Sequence, residues 1–482
     1  MTRWSACGPA ESSVKSQRLK WGCRMLGIRL KTLSQITGLA LAGLLTVVPQ
    51  ASQAESLGDA LVGAYRNSAL LEQNRALLRA ADEGVAFEVG KLRPVLSYAL
   101  SQSRTDTALG VSNSTTASLS ASMLLWDFGR TQLGVEAQKE TVLATRQALI
   151  DIEQSVLSGA VSAYIQVRTA AELVALRNNN VRLITEQLRA ANDRFEVGEV
   201  TRTDVALAEA RLAQARSNLV SAEGDFAIAR ESYNISVGRY PGNLSAPPIP
   251  PRTASTLPEA KAIAVRTHPA IKQAQHVVRA NELAAEAAQQ GIMPQLNGSA
   301  SVSRDIFNQQ NTSSLSITLS GPIYSGGQIS SGYRRSVAST EASRSQLRRA
   351  VQSVEQQVAN AWFGIEVARA RIEASDRQIR ASTVAFRGVR EEATLGARTT
   401  LDVLDAEQDL LDARTSRVNA EAEAVGAVYT LLSSMGLLTV DHLGLGIPTY
   451  DPAAYYNAVK DGPATSTRGA ALDRILGRIG NN

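Results

Sequence analysis

Leu296-Asn297-Gly298-Ser299-Ala300-Ser301-Val302-Ser303 sets an apolar or small residue against a polar one at every step. Successive side chains of a strand point to opposite faces, so this stretch has one face for hydrocarbon and one for water. The pattern recurs three times. Leu96, Tyr98 and Leu100 alternate with Ser97, Ala99 and Ser101; Leu119, Ala121 and Met123 with Ser118, Ser120 and Ser122; Leu315, Ile317 and Leu319 with Ser316, Thr318 and Ser320. A polar face made almost wholly of serine and threonine suits strands of a membrane barrel with a water-filled interior. Trp126, Phe128 and Tyr324 close the strands where an interfacial aromatic belt would lie.

Open sheet edges are not tolerated in lipid, and the smallest membrane barrels have about eight strands. Four strands cannot close alone, so the count predicts an oligomer that pools them around one pore. A soluble sandwich edge is the competing reading of any one such strand, and four at repeated positions disfavour it.

Those positions belong to an internal duplication. Ser56-Leu57-Gly58-Asp59-Ala60, followed by Asn67 and Pro94, is echoed by Thr256-Leu257-Pro258-Glu259-Ala260, Thr267 and Pro294 at an offset of 200. Further on, the offset is 198: Trp126-Asp127-Phe128-Gly129 matches Tyr324-Ser325-Gly326-Gly327, Gly198 matches Gly396, Asp204-Val205 matches Asp402-Val403, and Gly238 matches Gly436. The proline-rich stretch from Pro241 to Pro258 breaks helix and strand alike and reads as a linker. The expected organisation is a first repeat over 55–240, the linker over 241–258, a second repeat over 259–440, and a tail over 441–482 read as equatorial packing with a mobile end. Each repeat reads as helix, two strands, very long helix, turn, helix.

The helices carry heptads. Val351, Val358, Ile365, Ile372, Ile379 and Phe386 recur every seven residues, and Leu347, Val354, Ala361 and Ala368 form a second line four residues ahead. That is a coiled-coil seam. Val205, Leu212, Leu219, Phe226 and Tyr233, beside Ala208, Ala215, Ala222 and Ala229, repeat it in the first half. No proline interrupts Gly129 to Glu196, which as one helix would reach roughly 100 Å at 1.5 Å per residue. Leu57–Leu92 and Thr203–Val237 are each about half that length and could line it end to end. The fold class is therefore mostly α, a tall helical cylinder with a transmembrane β-barrel contribution.

Residues 1–54 read as a presequence and signal peptide: Arg24, Arg29 and Lys31 precede an apolar run from Ile36 to Val48, and Ser52-Gln53-Ala54 offers a cleavage site. Met25 is an alternative start. The apolar run is shorter than the about 20 residues a spanning helix needs. Seven Lys or Arg and one Glu lie in residues 1–54, so trimming turns the formal +5 into −1 and removes the argument for a nucleic-acid partner. Cys7 and Cys23 also lie there, leaving the expected mature chain without disulfide, thiolate metal site or lipid-anchor cysteine.

The duplicated plan, the Trp126-Asp127-Phe128-Gly129 and Gly321-Pro322-Ile323-Tyr324-Ser325-Gly326-Gly327 junctions, and the stretch Gly396-Ala397-Arg398-Thr399-Thr400-Leu401-Asp402-Val403-Leu404-Asp405-Ala406 resemble the TolC family of outer-membrane factors, from Glu55 to Leu438. The resemblance implies a homotrimer in the cell outer membrane with a large periplasmic part, a 12-stranded barrel, four strands from each copy, and an iris of coiled coils at the inner end. It also implies docking to a periplasmic adaptor (membrane fusion) protein and an inner-membrane RND or ABC transporter. The absence of a lipid anchor and the length favour the branch serving type I secretion and drug efflux.

Gly198 and Gly396 read as the tip turns, since glycine takes the left-handed conformation that ends a helix. Thr201 with Asp204 and Thr399 with Asp402 have capping-box spacing. Asp405, whose counterpart is Leu207, lies three residues past Asp402 on the same face, and such pairs in a trimer would ring the tunnel mouth with carboxylates. By resemblance, Asp402 and Asp405 occupy the constricting aspartate rings, and Arg398 the position that pairs with an aspartate at Asp204 to hold the entrance shut. The family's tyrosine in that lock falls at Ala393 here.

The competing readings are a structural coiled-coil protein of the periplasm or surface and a periplasmic enzyme. Against the enzyme, no nucleophile elbow, phosphate loop or metal-ligand spacing is present; His268, His276 and His442 are scattered. Paired carboxylates on a tip turn lack the apolar cleft that acid–base chemistry needs. No cofactor is expected.

Overall fold

A computed structural model describes residues 54–108, 110–247, 254–307 and 309–460. The signal-peptide reading up to residue 53, the middle of the linker and the end of the tail lie outside the described residues. The first half contains α1 (Leu57–Asn67), α2 (Ala69–Gly90), β1 (Val95–Thr107), β2 (Gly110–Trp126), α3 (Arg130–Glu196) and α4 (Arg202–Val237). The second repeats the order as α5 (Leu257–Thr267), α6 (Pro269–Gln289), β3 (Gln295–Asp305), β4 (Asn311–Ser320), α7 (Gln328–Thr394) and α8 (Thr400–Ser434), and α9 (Pro452–Val459) follows. The long helices α3 and α7 both have 67 residues.

One expectation is corrected: the segment before each hairpin is two helices, not one. Ser68 is extended and accepts from the Leu71 N–H at 3.2 Å, starting α2 afresh. Pro269 opens α6, where its missing N–H costs nothing, and His268 Nδ1 accepts from the Ala270 N–H at 3.2 Å. The break sets the short helices against the ends of α4 and α8. Gly238 (φ 86°) closes α4, and a Cβ there would lie 2.5 Å from Asn67, whose amide donates to the Val237 carbonyl at 2.9 Å. Gly436 (φ 74°) follows α8, and its Cβ would lie 2.7 Å from His268 Cα, while Thr267 Oγ1 donates to the Met435 carbonyl at 2.6 Å. The echo of Asn67 with Thr267 and Gly238 with Gly436 is thus one packing contact used twice.

The flanking helices do line α3 end to end. Leu78 and Val85 of α2 bury against Val135 and Val142 near its start; Ala208, Leu212 and Ala215 of α4 bury with Ile184 and Ala191 near its end. Between them, Leu57, Leu61, Tyr233 and Val237 close around Leu157 and Tyr164. Each fully buried aliphatic side chain contributes about 1.5–3 kcal/mol. The seam of α7 buries Val354, Ala361 and Ala368 at the heptad spacing, with Ser375 continuing the line. Tyr164 and Tyr233 keep their hydroxyls bonded, to the Ser245 carbonyl and to Glu55, both at 2.6 Å. Glu55 and the linker pair as a short parallel bridge, Ser245 N–H to the Glu55 carbonyl at 3.0 Å. The tail packs into the same region, with Leu443, Leu445 and Ile447 against that core; just before it Leu438 and Val440 are buried and the Val440 N–H reaches Glu153 at 2.8 Å, and beyond it the Tyr455 hydroxyl of α9 reaches Glu83 of α2 at 2.7 Å.

The strands form one antiparallel sheet in the order β1-β2-β3-β4, so β2–β3 joins the two halves and β1 and β4 stand at the outside. The register keeps the two faces separate. Tyr98 lies opposite Leu119, Leu119 opposite Val302, and Ala300 opposite Leu315. Tyr98 and Leu315 are 88% and 82% exposed on that face. On the other, serine hydroxyls pair across strands: Ser97 with Ser120 at 2.8 Å, Ser299 with Ser316 at 2.7 Å and Ser301 with Ser314 at 2.8 Å. Pairing continues past the alternating runs into the polar segment from Gln102 to Thr116. Among the described residues no helix is long and apolar enough to cross a membrane.

Candidate functional site

Two places combine the duplicated motifs with exposed chemistry: the elbows where strands become long helices, and the tips where long helices turn back. At the first elbow Asp127 is buried and accepts from the Thr131 N–H at 2.8 Å and the Gly129 N–H at 3.2 Å, capping α3. The Phe128 ring stacks on Trp126, centroids 4.1 Å apart. Phe128 has φ 58°, a conformation that costs a non-glycine residue roughly 1–2 kcal/mol; the second elbow puts Gly326 there with φ 59°. Stacking returns about 0.5–1.5 kcal/mol of that strain. Tyr324 stands 89% exposed at the second elbow, the same end of the sheet.

At the tips, Gly198 and Gly396 have φ of 80° and 75°, and nothing lies within 4 Å of where a Cβ would be. They are needed for conformation, not space. Glu199 N–H donates to the Arg194 carbonyl at 2.9 Å and Ala397 N–H to the Glu392 carbonyl at 2.9 Å, the pattern that ends a helix in a left-handed residue. Both capping boxes form. The Thr201 N–H meets Asp204 at 2.9 Å and the Thr399 N–H meets Asp402 at 3.0 Å. The backbone and hydroxyl hydrogen bonds of Thr399, with Arg398 nearby, hold the Asp402 carboxyl below the ordinary range.

Arg398 Nε donates to Glu392 at 2.9 Å, and this partner raises its pKa. Among the described residues no hydrogen bond or ion pair joins Arg398 to Asp204 within one chain, and Asp204 is engaged by Thr201. Asp405 pairs with Arg211 of α4 at 2.7 Å. Two further contacts tie α3 to the α7–α8 hairpin: Asn180 donates to Glu407 at 3.2 Å, both residues buried, and Arg194 reaches the carbonyl of Ala393 at 3.4 Å. Sequence reasoning missed Arg211, Arg194, Asn180 and Glu407. A signal for Glu407 was present: it lies between Leu404 and Leu411 on one helical stripe, where a carboxylate is out of place. Among the described residues no cluster of metal-ligating side chains occurs.

A helical body ending in such tips, with an open fragment of membrane barrel at the far end, defines a channel protein. The sequence profile of the outer membrane efflux protein family matches residues 61–238 and 263–437. The chain belongs to this family, the TolC-like outer-membrane channels, and is an outer-membrane exit channel with a periplasmic part. It is 36% identical over 438 residues to the outer membrane efflux protein BepC of Brucella suis, covering 88% of this chain and 94% of BepC. It is 25% identical over 433 residues to the proteases secretion protein PrtF of Dickeya chrysanthemi, covering 82% and 92%. The CmeC outer membrane channel of Campylobacter jejuni shares the fold, with a TM-score of 0.71 over 80% of this chain and 86% of that one at 16% identity. Members of the family are channel proteins, trimeric within tripartite efflux and secretion systems.

Proposed function

We propose that the chain is a homotrimer serving drug efflux and/or type I secretion, a passive conduit with no catalytic step, gated at its periplasmic tips. The observation that carries this is the sheet. Four antiparallel strands with a bare apolar face and free edges at β1 and β4 cannot remain so in lipid. Because the strand number is even, β4 of one copy can pair antiparallel with β1 of the next, and three copies close a barrel of twelve strands. The partners are a periplasmic adaptor protein and an inner-membrane RND or ABC transporter; similarity to BepC and to PrtF supports a place in systems of either kind. A heat-sensitive oligomer in the outer-membrane fraction is the expected result, and a monomer that stays soluble would overturn the reading.

The gate is proposed at the tips, where Asp402 and Asp405 line the aperture and Arg398 of one copy meets Asp204 of the next. Both groups have partners within their own chain, so opening exchanges one weak surface contact for another, each worth about 0–1 kcal/mol. Within each protomer Arg211 tempers the charge of Asp405, while Asp402 is held by the hydrogen bonds of Thr399 with Arg398 nearby. Arg398→Ser is expected to raise bilayer conductance or leakage of a large antibiotic; an unchanged closed state would count against the latch.

A further inference from the structure

Within each protomer the α7–α8 hairpin meets the α3–α4 hairpin near the tip through few apolar contacts. Leu404 of α8 joins Ile184, Ala191, Ala208 and Leu212. About one turn farther from the tip the apolar seam is interrupted by Asn180 and Glu407, 5% and 4% exposed, 3.2 Å apart. Beside them lies a cavity of about 250 Å³ bordered by Leu176, Leu183, Phe386, Arg387, Arg390 and Arg414. Hydrocarbon therefore does not fill the junction of α3, α7 and α8. The second oxygen of Glu407 is buried without a hydrogen-bond partner among the described residues, so separating Asn180 from Glu407 without admitting water would strand further polar groups.

We propose that each protomer carries its own fastening for the gate: the buried Asn180–Glu407 pair clasps the α7–α8 hairpin to the α3–α4 hairpin, the half-exposed Arg211–Asp405 pair backs it, and opening requires the clasp to part. The proposal rests on the tips being the gate. It assigns the stronger closure to a buried contact, because exposed ion pairs at the turns are weak in water.

The groups facing Glu407 are Asn180 and Glu186 on α3, Arg387 and Arg390 on α7, and Arg414 on its own helix, with Asp405 of the Arg211–Asp405 pair about half a turn nearer the tip. Burial pushes the Glu407 carboxyl up to about 7, with Glu186 adding to the rise and Asn180 and Arg390 opposing it. Opening wets the carboxyl and returns it toward its ordinary value, so the closed state holds the proton more tightly. The advantage this gives to closure is complete below about 4.5 and is lost as the pH rises through about 7. Between about pH 6 and about pH 8 the open-to-closed ratio of each protomer should rise about tenfold.

The test uses the full-length channel in planar bilayers across that range, with leakage of a large antibiotic into cells as a second reading. Glu407→Gln still accepts from Asn180 but cannot ionise, so its conductance should stay at the wild-type acid-side level without pH dependence. Asn180→Ala removes the donor and should leak at every pH. Glu407→Gln retaining the full pH profile, or Asn180→Ala closing as tightly as wild type, overturns the clasp. If Arg398→Ser leaks while Asn180→Ala is tight, the tip gate stands and the clasp fails; if both are tight, the gate reading itself fails. Should Asn180→Ala not assemble, the pH profile of Glu407→Gln decides alone.

Discussion

Asp82 offers a test of the fold that is independent of assembly. Its side chain is fully buried on α2, and both carboxylate oxygens lack a hydrogen-bond partner among the described residues. Nearby arginines are turned to rings instead: Arg75 lies 5.2 Å from the Tyr65 ring and 5.3 Å from the Tyr450 ring, and Arg146 5.1 Å from the Tyr456 ring. Burial raises the Asp82 carboxyl from 3.8 to about 6, with Arg146 opposing and Glu83 assisting. A folded value above the unfolded one means that the fold holds the proton more tightly. Its contribution is complete below about 3.8 and is lost as the pH rises through about 6. At about 1.4 kcal/mol per pH unit, the loss reaches about 3 kcal/mol. Asp82→Asn cannot ionise, so near pH 4 it should match wild type, whereas at about pH 8 it should unfold up to about a hundredfold more slowly in detergent, followed by loss of helical circular dichroism. A wild-type rate flat between about pH 5 and about pH 8, or a variant less stable than wild type at the alkaline end, would refute the reasoning: the carboxylate would then be charged and held by Arg146.

Two further outcomes follow from the sheet and the glycines. Ile317→Arg places a cation on the apolar face and should cost about 2–4 kcal/mol if that face meets lipid, abolishing assembly in the outer membrane, whereas Ser316→Arg on the serine face should assemble and alter conductance; equal assembly of the two would reverse the assignment of faces. Gly396→Ala meets no neighbour and should cost about 1–2 kcal/mol for its left-handed backbone, while Gly436→Ala also drives a methyl to 2.7 Å from His268 Cα and should cost clearly more, read as the difference in heat-inactivation rate.

Duplication, heptads and serine alternation made most of the fold legible, because periods of 2 and 7 are properties of neighbouring residues along the chain. The strand count alone implied pooling, since unpaired backbone is intolerable in hydrocarbon. Glycine and threonine at the tips announced their turns and caps for the same reason: those interactions span only a few residues. What lay beyond the sequence was every contact between hairpins. Arg211 meets Asp405 across 194 positions and Asn180 meets Glu407 across 227, and no local pattern specifies which of many exposed arginines on α4 faces α8. Helix composition determined that four long helices form; only their packing decided that Asp405 is paired, that Arg398 turns to Glu392, and that a buried carboxyl sits between the hairpins, because rotation and register along a coiled coil are settled by all seams closing together.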